Sequence, residues 1–171
     1  MALVARLFVA ADLPAEVRAA LSAVPVPGRR VPVESLHVTL CFLGEVDEVQ
    51  IPSVASELGR LGTGGPVTLA TEDVLWLPPR RPRVCAVALN DVSGALGALQ
   101  AALGSALERG GWYAPERRPF LAHVTIARLG REDRRAKVVA PSLEPFAVPS
   151  VTLYRSWPGS RYEALASVTH L

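Results

Sequence analysis

An eight-residue pattern occurs twice in this chain, and it constrains the fold and the chemistry more than any other feature. Residues 37–44 read His-Val-Thr-Leu-Cys-Phe-Leu-Gly, and residues 123–130 read His-Val-Thr-Ile-Ala-Arg-Leu-Gly. Six of the eight positions are identical or Leu/Ile equivalents, and the copies begin about half of the 171-residue chain apart. The repeat predicts two similar lobes related by an approximate two-fold axis.

Each copy has the alternating pattern of a half-buried strand. Successive side chains of a strand point to opposite faces, so His37 and Thr39 share one face and apolar residues occupy the other. His123 and Thr125 stand in the same relation in the second copy. If the lobes pack about the axis, their polar faces meet across a cleft that holds two His-x-Thr units.

Two histidines on either side of one phosphorus atom suit an in-line displacement. One imidazole removes a proton from the attacking oxygen while the other donates a proton to the departing oxygen. Both forms coexist near neutrality because an unperturbed histidine has a pKa of ~6.5. Thr39 and Thr125 can donate hydrogen bonds to phosphate oxygens on which negative charge develops. The sequence thus predicts His37 and His123 as a catalytic pair that requires no metal.

Neither packing nor zinc binding accounts for the repeat as well. Packing in a duplicated fold explains the repeated apolar face, but it does not need histidine and threonine on the opposite face of both copies. Zinc sites use three or four protein ligands, and one histidine per strand without a nearby cysteine pair supplies too few. We therefore expect no metal site.

Arginine dominates the basic residues of this chain. It accounts for 17 of the 18 basic residues, although the formal net charge is only +2. A planar guanidinium suits phosphate oxygens and stacks on bases, which is compatible with a nucleic-acid ligand. A preference for arginine over lysine also follows from genome composition. The arginines are grouped at residues 29–30, 80–83, 117–118 and 131–135.

Three helices are predicted. The clearest one follows Asp91, which can cap it, and its apolar residues recur every three or four positions until Gly110. The other two run from Pro14, with Asp12 as a cap, to about residue 24, and from Asp47 to about residue 61.

Strands outnumber these helices. The strand from residue 36 to 43 is expected to end at Gly44. Single helices between strands, without a regular βαβ rhythm, predict an α+β fold. We expect two pseudo-two-fold-related lobes of largely antiparallel sheet, with helices on the outside and the active-site cleft between them, as one domain over residues 1–171. Strands are predicted at residues 3–11, 36–43, 66–77, 83–90, 120–129, 145–155 and 161–169.

The cellular setting follows from the cysteines and the apolar runs. Cys41 and Cys85 lie in strand-like runs without a CxxC pair, so a reducing compartment is the simplest account. Arg6 interrupts the apolar start of the chain, and no cleavage pattern follows it. No apolar stretch approaches the ~20 residues that span a bilayer. We expect a cytoplasmic monomer with no membrane association and no obligate protein partner.

The motifs resemble those of the two-histidine phosphoesterase superfamily. The likeness is to its LigT-like branch, the RNA 2′,3′-cyclic phosphodiesterases, also called 2′-5′ RNA ligases, and it covers nearly the whole chain. The matching segments are residues 6–10, Leu13-Pro14, residues 34–45, residues 118–128, Leu153-Tyr154 and residues 161–163.

The resemblance implies hydrolysis of a 2′,3′-cyclic phosphate at an RNA end to a 2′-phosphate, without a cofactor. His37 is then the proton donor to the 3′ oxygen, and His123 is the proton acceptor that activates water. Attack by an RNA 5′-hydroxyl, giving a 2′-5′ linkage, is implied as a slow secondary activity. Arg128 matches a family arginine beside the phosphate or the terminal base, and Phe8 is a candidate platform for that base.

Two departures from the family pattern stand beside these matches. Arg30 replaces a frequent tryptophan, which questions how the terminal base is stacked, and Ala122 replaces a frequent proline before the second histidine. The third histidine, His170, has none of the motif around it. Two alternative functions stay open, a phosphodiesterase for small cyclic phosphates (ADP-ribose cyclic phosphate or cyclic nucleotides) and a non-catalytic RNA-binding module.

Overall fold

The computed structural model describes residues 1–61 and 65–169, so His170 lies outside the described residues. Within them the chain forms nine strands and three α-helices. Their bounds in chain order are β1 (Val4–Ala11), α1 (Ala15–Ser22), β2 (Arg29–Arg30), β3 (Val38–Asp47), α2 (Ile51–Gly59), β4 (Thr68–Leu77), β5 (Val84–Asp91), α3 (Ala95–Arg109), β6 (His123–Arg128), β7 (Phe146–Ala147), β8 (Ser150–Trp157) and β9 (Arg161–Thr169).

The strands form two antiparallel sheets. The first has the order β3-β1-β8-β9 and the second the order β2-β6-β5-β4-β7. The chain starts in the first sheet with β1, adds β2 to the second sheet and returns to the first with β3. It then forms β4 to β7 in the second sheet and ends in the first with β8 and β9. The prediction of an α+β fold with two antiparallel lobes is confirmed.

Each His-x-Thr strand is the last element of a strand–helix–strand unit. In the first sheet β1 and α1 precede β3, which pairs antiparallel with β1. In the second sheet β5 and α3 precede β6, which pairs antiparallel with β5. The sequence repeat therefore corresponds to a repeated strand–helix–strand unit, one in each sheet.

The apolar faces of the paired strands build the core. Alternate residues of β1, among them Leu7 and Val9, are fully buried, whereas Arg6 and Phe8 lie on the other face and line a cavity. The strand alternation expected around both histidines is also present. The buried residues that alternate with the histidines and threonines are Val38, Leu40, Val124 and Ile126.

The end predicted for the second strand is wrong. β3 begins one residue after His37 and continues past Gly44 to Asp47. Gly44 adopts a positive φ of 73° where the register with β1 shifts, so it forms a bulge inside the strand. Hydrogen bonds to β1 carry β3 through this point, which the local sequence does not reveal.

One of the two predicted helix caps is confirmed. The carboxylate of Asp91 accepts hydrogen bonds from the backbone N–H groups of Leu96 and Gly97, at 3.2 and 2.8 Å, ahead of the buried stripe of α3. The cap predicted for α1 is wrong, because no side chain caps this helix and Asp12 bonds to β8 instead.

Candidate active site

The two His-x-Thr units line one cavity of about 180 Å³ where β3 approaches β6. β6 carries His123 and Thr125, and β3 carries Thr39, with His37 directly before the strand. Phe8 and Arg128 line the same cavity, so the structure brings together all six residues singled out from the sequence. Sequence reasoning missed the remaining lining residues, which are Arg6, Val31, Ser35, Phe42, Ser156 and Tyr162.

Both histidine rings are held by the backbone in the same way. The Nδ1–H of His37 donates to the carbonyl oxygen of Ser35 at 2.7 Å. The Nδ1–H of His123 donates to the carbonyl oxygen of Leu121 at 2.8 Å. Because Nδ1 carries a hydrogen in both rings, Nε2 is the nitrogen left to gain or lose a proton in each.

His37 lies in an aromatic layer formed by Phe8, Tyr154 and Tyr162. Its ring centroid is 4.9 Å from that of Phe8 and 5.3 Å from that of Tyr162, which meets it edge-on. Burial lowers the pKa of His37, since desolvation disfavours the charged imidazolium. The hydrogen bond to Ser35 opposes this shift of the pKa, and the positive charge of Arg128 reinforces it.

The reactive nitrogen of His37 has a partner inside its own motif. Nε2 lies 3.0 Å from the hydroxyl oxygen of Thr39. When His37 is neutral, the Thr39 hydroxyl donates to Nε2, and when His37 is protonated, Nε2–H donates to the Thr39 oxygen. Protonation of the imidazole therefore leaves the hydroxyl hydrogen of Thr39 available to another acceptor.

Asp12 holds the aromatic layer in place through a hydrogen bond to Tyr154. Its carboxylate accepts hydrogen bonds from the hydroxyl groups of Ser150, Thr152 and Tyr154, at 2.6, 2.5 and 2.5 Å. The Tyr154 ring stacks on Phe8 at 5.4 Å between centroids. Burial and the Asp12 carboxylate raise the pKa of Tyr154, so its hydroxyl stays a donor. The cluster fixes the side chains on which His37 rests.

Two larger cavities flank the histidine cavity. One, of about 500 Å³, adjoins His37 and Tyr162 and is lined by Trp157 and Arg161 among others. The other, of about 520 Å³, lies along α3 and adjoins His123. Space for the rest of a substrate thus exists on both sides of the paired histidines.

Neither a metal cluster nor a membrane-spanning helix is found in the part of the chain that the structure describes. No three His, Cys, Asp or Glu side chains in residues 1–61 and 65–169 are grouped so as to hold a metal ion. No helix in these residues has the length and apolar character needed to cross a bilayer.

The two His-x-Thr units line one cavity between two antiparallel sheets, which is the arrangement expected of a two-histidine phosphoesterase. The chain belongs to the 2′-5′ RNA ligase superfamily, whose family description matches residues 4–156. The family resemblance seen in the sequence is thereby confirmed.

Curated relatives and solved structures agree with this assignment. The RNA 2′,3′-cyclic phosphodiesterase of Escherichia coli is 35% identical over 159 residues, covering 88% of this chain and 86% of that protein. The enzyme of the same name from Archaeoglobus fulgidus is 31% identical over 135 residues, covering 75% of this chain and 74% of that protein. The crystal structure of E. coli LigT complexed with 3′-AMP aligns with a TM-score of 0.79 at 31% identity, covering 98% of both chains. The predicted enzyme class, a cyclic phosphodiesterase, agrees with these names.

Proposed function

We propose that this protein is an RNA 2′,3′-cyclic phosphodiesterase, which opens a terminal 2′,3′-cyclic phosphate to a 2′-phosphate and a free 3′-hydroxyl. The observation that carries the proposal is the pair of histidines whose Nδ1 atoms are fixed by the backbone and whose side chains line one cavity. The curated relatives of this chain bear the name of this activity.

The paired histidines supply both proton transfers of the reaction. Neutral His123 takes a proton from water through Nε2 as the water oxygen bonds to phosphorus. The bond from phosphorus to the 3′ oxygen breaks, and protonated His37 donates its Nε2 proton to that oxygen. One water is consumed, and the two histidines exchange protonation states. Thr39 and Thr125 donate to the non-bridging oxygens.

The burial of His37 bears on these roles. A proton donor must be charged when the substrate is bound, whereas burial lowers the pKa of His37 in the free protein. An anionic phosphate in the cavity favours the imidazolium and raises this pKa. We therefore propose that substrate binding protonates His37, which turns the Thr39 hydroxyl toward the phosphate.

Three further elements of the function are proposals of the same kind. The reaction needs no metal, because the two imidazoles carry out the proton transfers and the two threonine hydroxyl groups stabilise the negative charge on the phosphate oxygens. A 5′-hydroxyl in place of water gives a slow 2′-5′ ligation by the same displacement. A cytoplasmic location is supported by Cys41 and Cys85, which are both free and buried.

A substrate panel tests the proposed function. An RNA oligonucleotide with a 2′,3′-cyclic phosphate end, a mononucleoside 2′,3′-cyclic phosphate and ADP-ribose cyclic phosphate are incubated with the protein, and ³¹P NMR identifies the product. We expect the RNA end to give a 2′-monophosphate. Turnover of ADP-ribose cyclic phosphate alone would contradict the RNA assignment and support the small-ligand alternative.

A further inference from the structure

Two arginines stand directly opposite each other beside the active site. Arg29 in β2 pairs with Arg128 in β6, and the next strand, β5, places Val84 opposite Arg128, immediately after Arg83. Like charges in directly opposed cross-strand positions destabilise a sheet. An anion that lies across these strands would remove this repulsion.

The turn between β4 and β5 brings more arginines to the same place. The backbone N–H of Leu129 donates to the carbonyl oxygen of Arg83 at 2.8 Å, and the guanidinium of Arg135 donates to the carbonyl oxygen of Pro79. The segment that follows β6 therefore lies against this turn. We call the resulting group of exposed residues the arginine edge; it consists of Arg29, Arg80, Arg81, Arg83, Arg128, Arg131, Arg134 and Arg135.

The charge of the arginine edge is poorly compensated. In residues 1–61 and 65–169, the ion pairs within 4 Å join Arg60 to Glu57 and Arg155 to Glu48, and neither pair belongs to the edge. Arg134 and Arg135 donate to backbone carbonyl oxygens instead of carboxylates. Two carboxylates lie in the same segment: Asp133 accepts a hydrogen bond from the backbone of Gly130 at 2.6 Å, and Glu132 is exposed. They stand against the eight arginines of the edge. A positive surface is left facing solvent.

This surface is continuous with the catalytic cavity. Arg128 lines the cavity that holds the two histidines, and it also lines a small cavity of about 70 Å³ together with Arg29. Neighbouring strands are ~4.8 Å apart, so the row formed by Arg29 in β2, Arg128 in β6 and the start of β5, next to Arg83, extends over ~10 Å. Such a row can contact more than one phosphate of a single nucleic-acid strand.

We propose that the arginine edge binds the backbone phosphates of the RNA strand that leads to the terminal cyclic phosphate. This inference rests on the proposed function and specifies its substrate class, an RNA chain end in preference to a free mononucleotide. The repeated guanidinium groups match the repeated phosphates of one strand, and each contact releases a counterion. Affinity for RNA must then fall with salt, whereas turnover of a mononucleotide gains nothing from the edge arginines other than Arg128, which lines the catalytic cavity.

The experiment compares an R80A/R81A variant with an R60A/R109A variant that loses the same charge at the ends of α2 and α3, away from the edge. kcat/KM is measured for a ten-nucleotide RNA ending in a 2′,3′-cyclic phosphate and for a mononucleoside 2′,3′-cyclic phosphate, between 50 and 300 mM salt. Anisotropy with a fluorescent RNA ending in a 3′-phosphate gives the binding affinity independently of turnover.

Each phosphate contact contributes ~0.7 to the fall of log affinity with log salt concentration, so two contacts are worth a factor of roughly 25 at 0.1 M salt relative to 1 M. Their loss should lower kcat/KM for the RNA by about this factor. We expect this loss in the edge variant, mostly through KM, with turnover of the mononucleotide unchanged and the control variant like wild type. Equal behaviour of the two variants, or equal salt slopes for the two substrates, would overturn the inference. Absence of all turnover, with edge-dependent RNA binding retained, would overturn the proposed function and leave the RNA-binding edge supported.

Discussion

The Nδ1 atoms of His37 and His123 make the same hydrogen bond, each to the backbone carbonyl oxygen two residues earlier, at 2.7 and 2.8 Å. The backbone of the repeated strand thus sets both rings without any acidic partner on Nδ1. The surroundings of His37 are particular to it. Its Nε2 atom lies within hydrogen-bond distance of the Thr39 hydroxyl, and its ring packs against the ring of Phe8. The two histidines share one orientation and differ in environment.

Phosphate is expected to raise the pKa of His37. In the free protein burial holds this pKa below 6.5, and an anion in the cavity favours the charged ring. NMR titration of the imidazole signals, assigned with a His37→Gln variant, measures the pKa with and without a 3′-nucleotide. A pKa that stays unchanged on nucleotide binding would contradict the proposed protonation step.

His37 also makes the free energy of unfolding depend on pH. The pKa of His37 is lowered in the folded state, so at acid pH the unfolded chain binds more protons. The contribution of His37 to the stability of the fold is fully present above pH ~6.5 and is lost as the pH falls through the pKa of His37 in the folded state. Urea unfolding should show a larger loss of stability between pH 7.5 and 5 for wild type than for His37→Gln. Parallel losses in both proteins would refute this prediction.

The hydroxyl groups of Thr39 and Thr125 are expected to raise kcat. Replacing either with valine keeps the shape and removes the hydroxyl that donates to the phosphate, so kcat should fall about 10²-fold. Serine at the same position should restore most of the activity. If valine and serine variants have the same kcat, the hydroxyl groups do not serve the reaction.

Asp12 is expected to stabilise the fold and to position the aromatic layer. Asp12→Ala leaves the Ser150, Thr152 and Tyr154 hydroxyl groups without their acceptor, and the cost should be about 3 kcal/mol in urea unfolding. Asp73→Ala, at an exposed position, is the matched control and should cost less than about 0.5 kcal/mol. A cost below about 1 kcal/mol for Asp12→Ala would show that the cluster does not anchor the layer.

The repeat allowed the strand faces and the meeting of the two His-x-Thr units to be predicted, because period-two alternation is a local property. The aromatic layer could not be predicted in this way. Phe8 meets Tyr154 and Tyr162 only because the last two strands return beside β1, a pairing that no local pattern encodes. The hydroxyl partners of Asp12 depend on the same return, which is why a helix cap was expected there.

The arginine edge shows the same limit. Its clusters are visible in the sequence, but they come together only through the pairing of β2 with β6 and the packing of the segment after β6 on the β4–β5 turn. Arg30, which replaces a tryptophan that is frequent in the family, donates to the carbonyl oxygen of Ser22. Long-range register, and not residue type, decides which arginines face the site.

RNA hydrolysis in EDTA tests the two-histidine mechanism most directly. Wild type, His37→Gln and His123→Gln are compared on an RNA with a 2′,3′-cyclic phosphate end, after circular dichroism has shown that all three are folded. We predict conversion to a 2′-phosphate by wild type and a loss of at least about 10²-fold in each variant. Failure of folded wild type to turn over the RNA in EDTA, or full activity of either variant, would contradict the metal-independent mechanism based on two histidines.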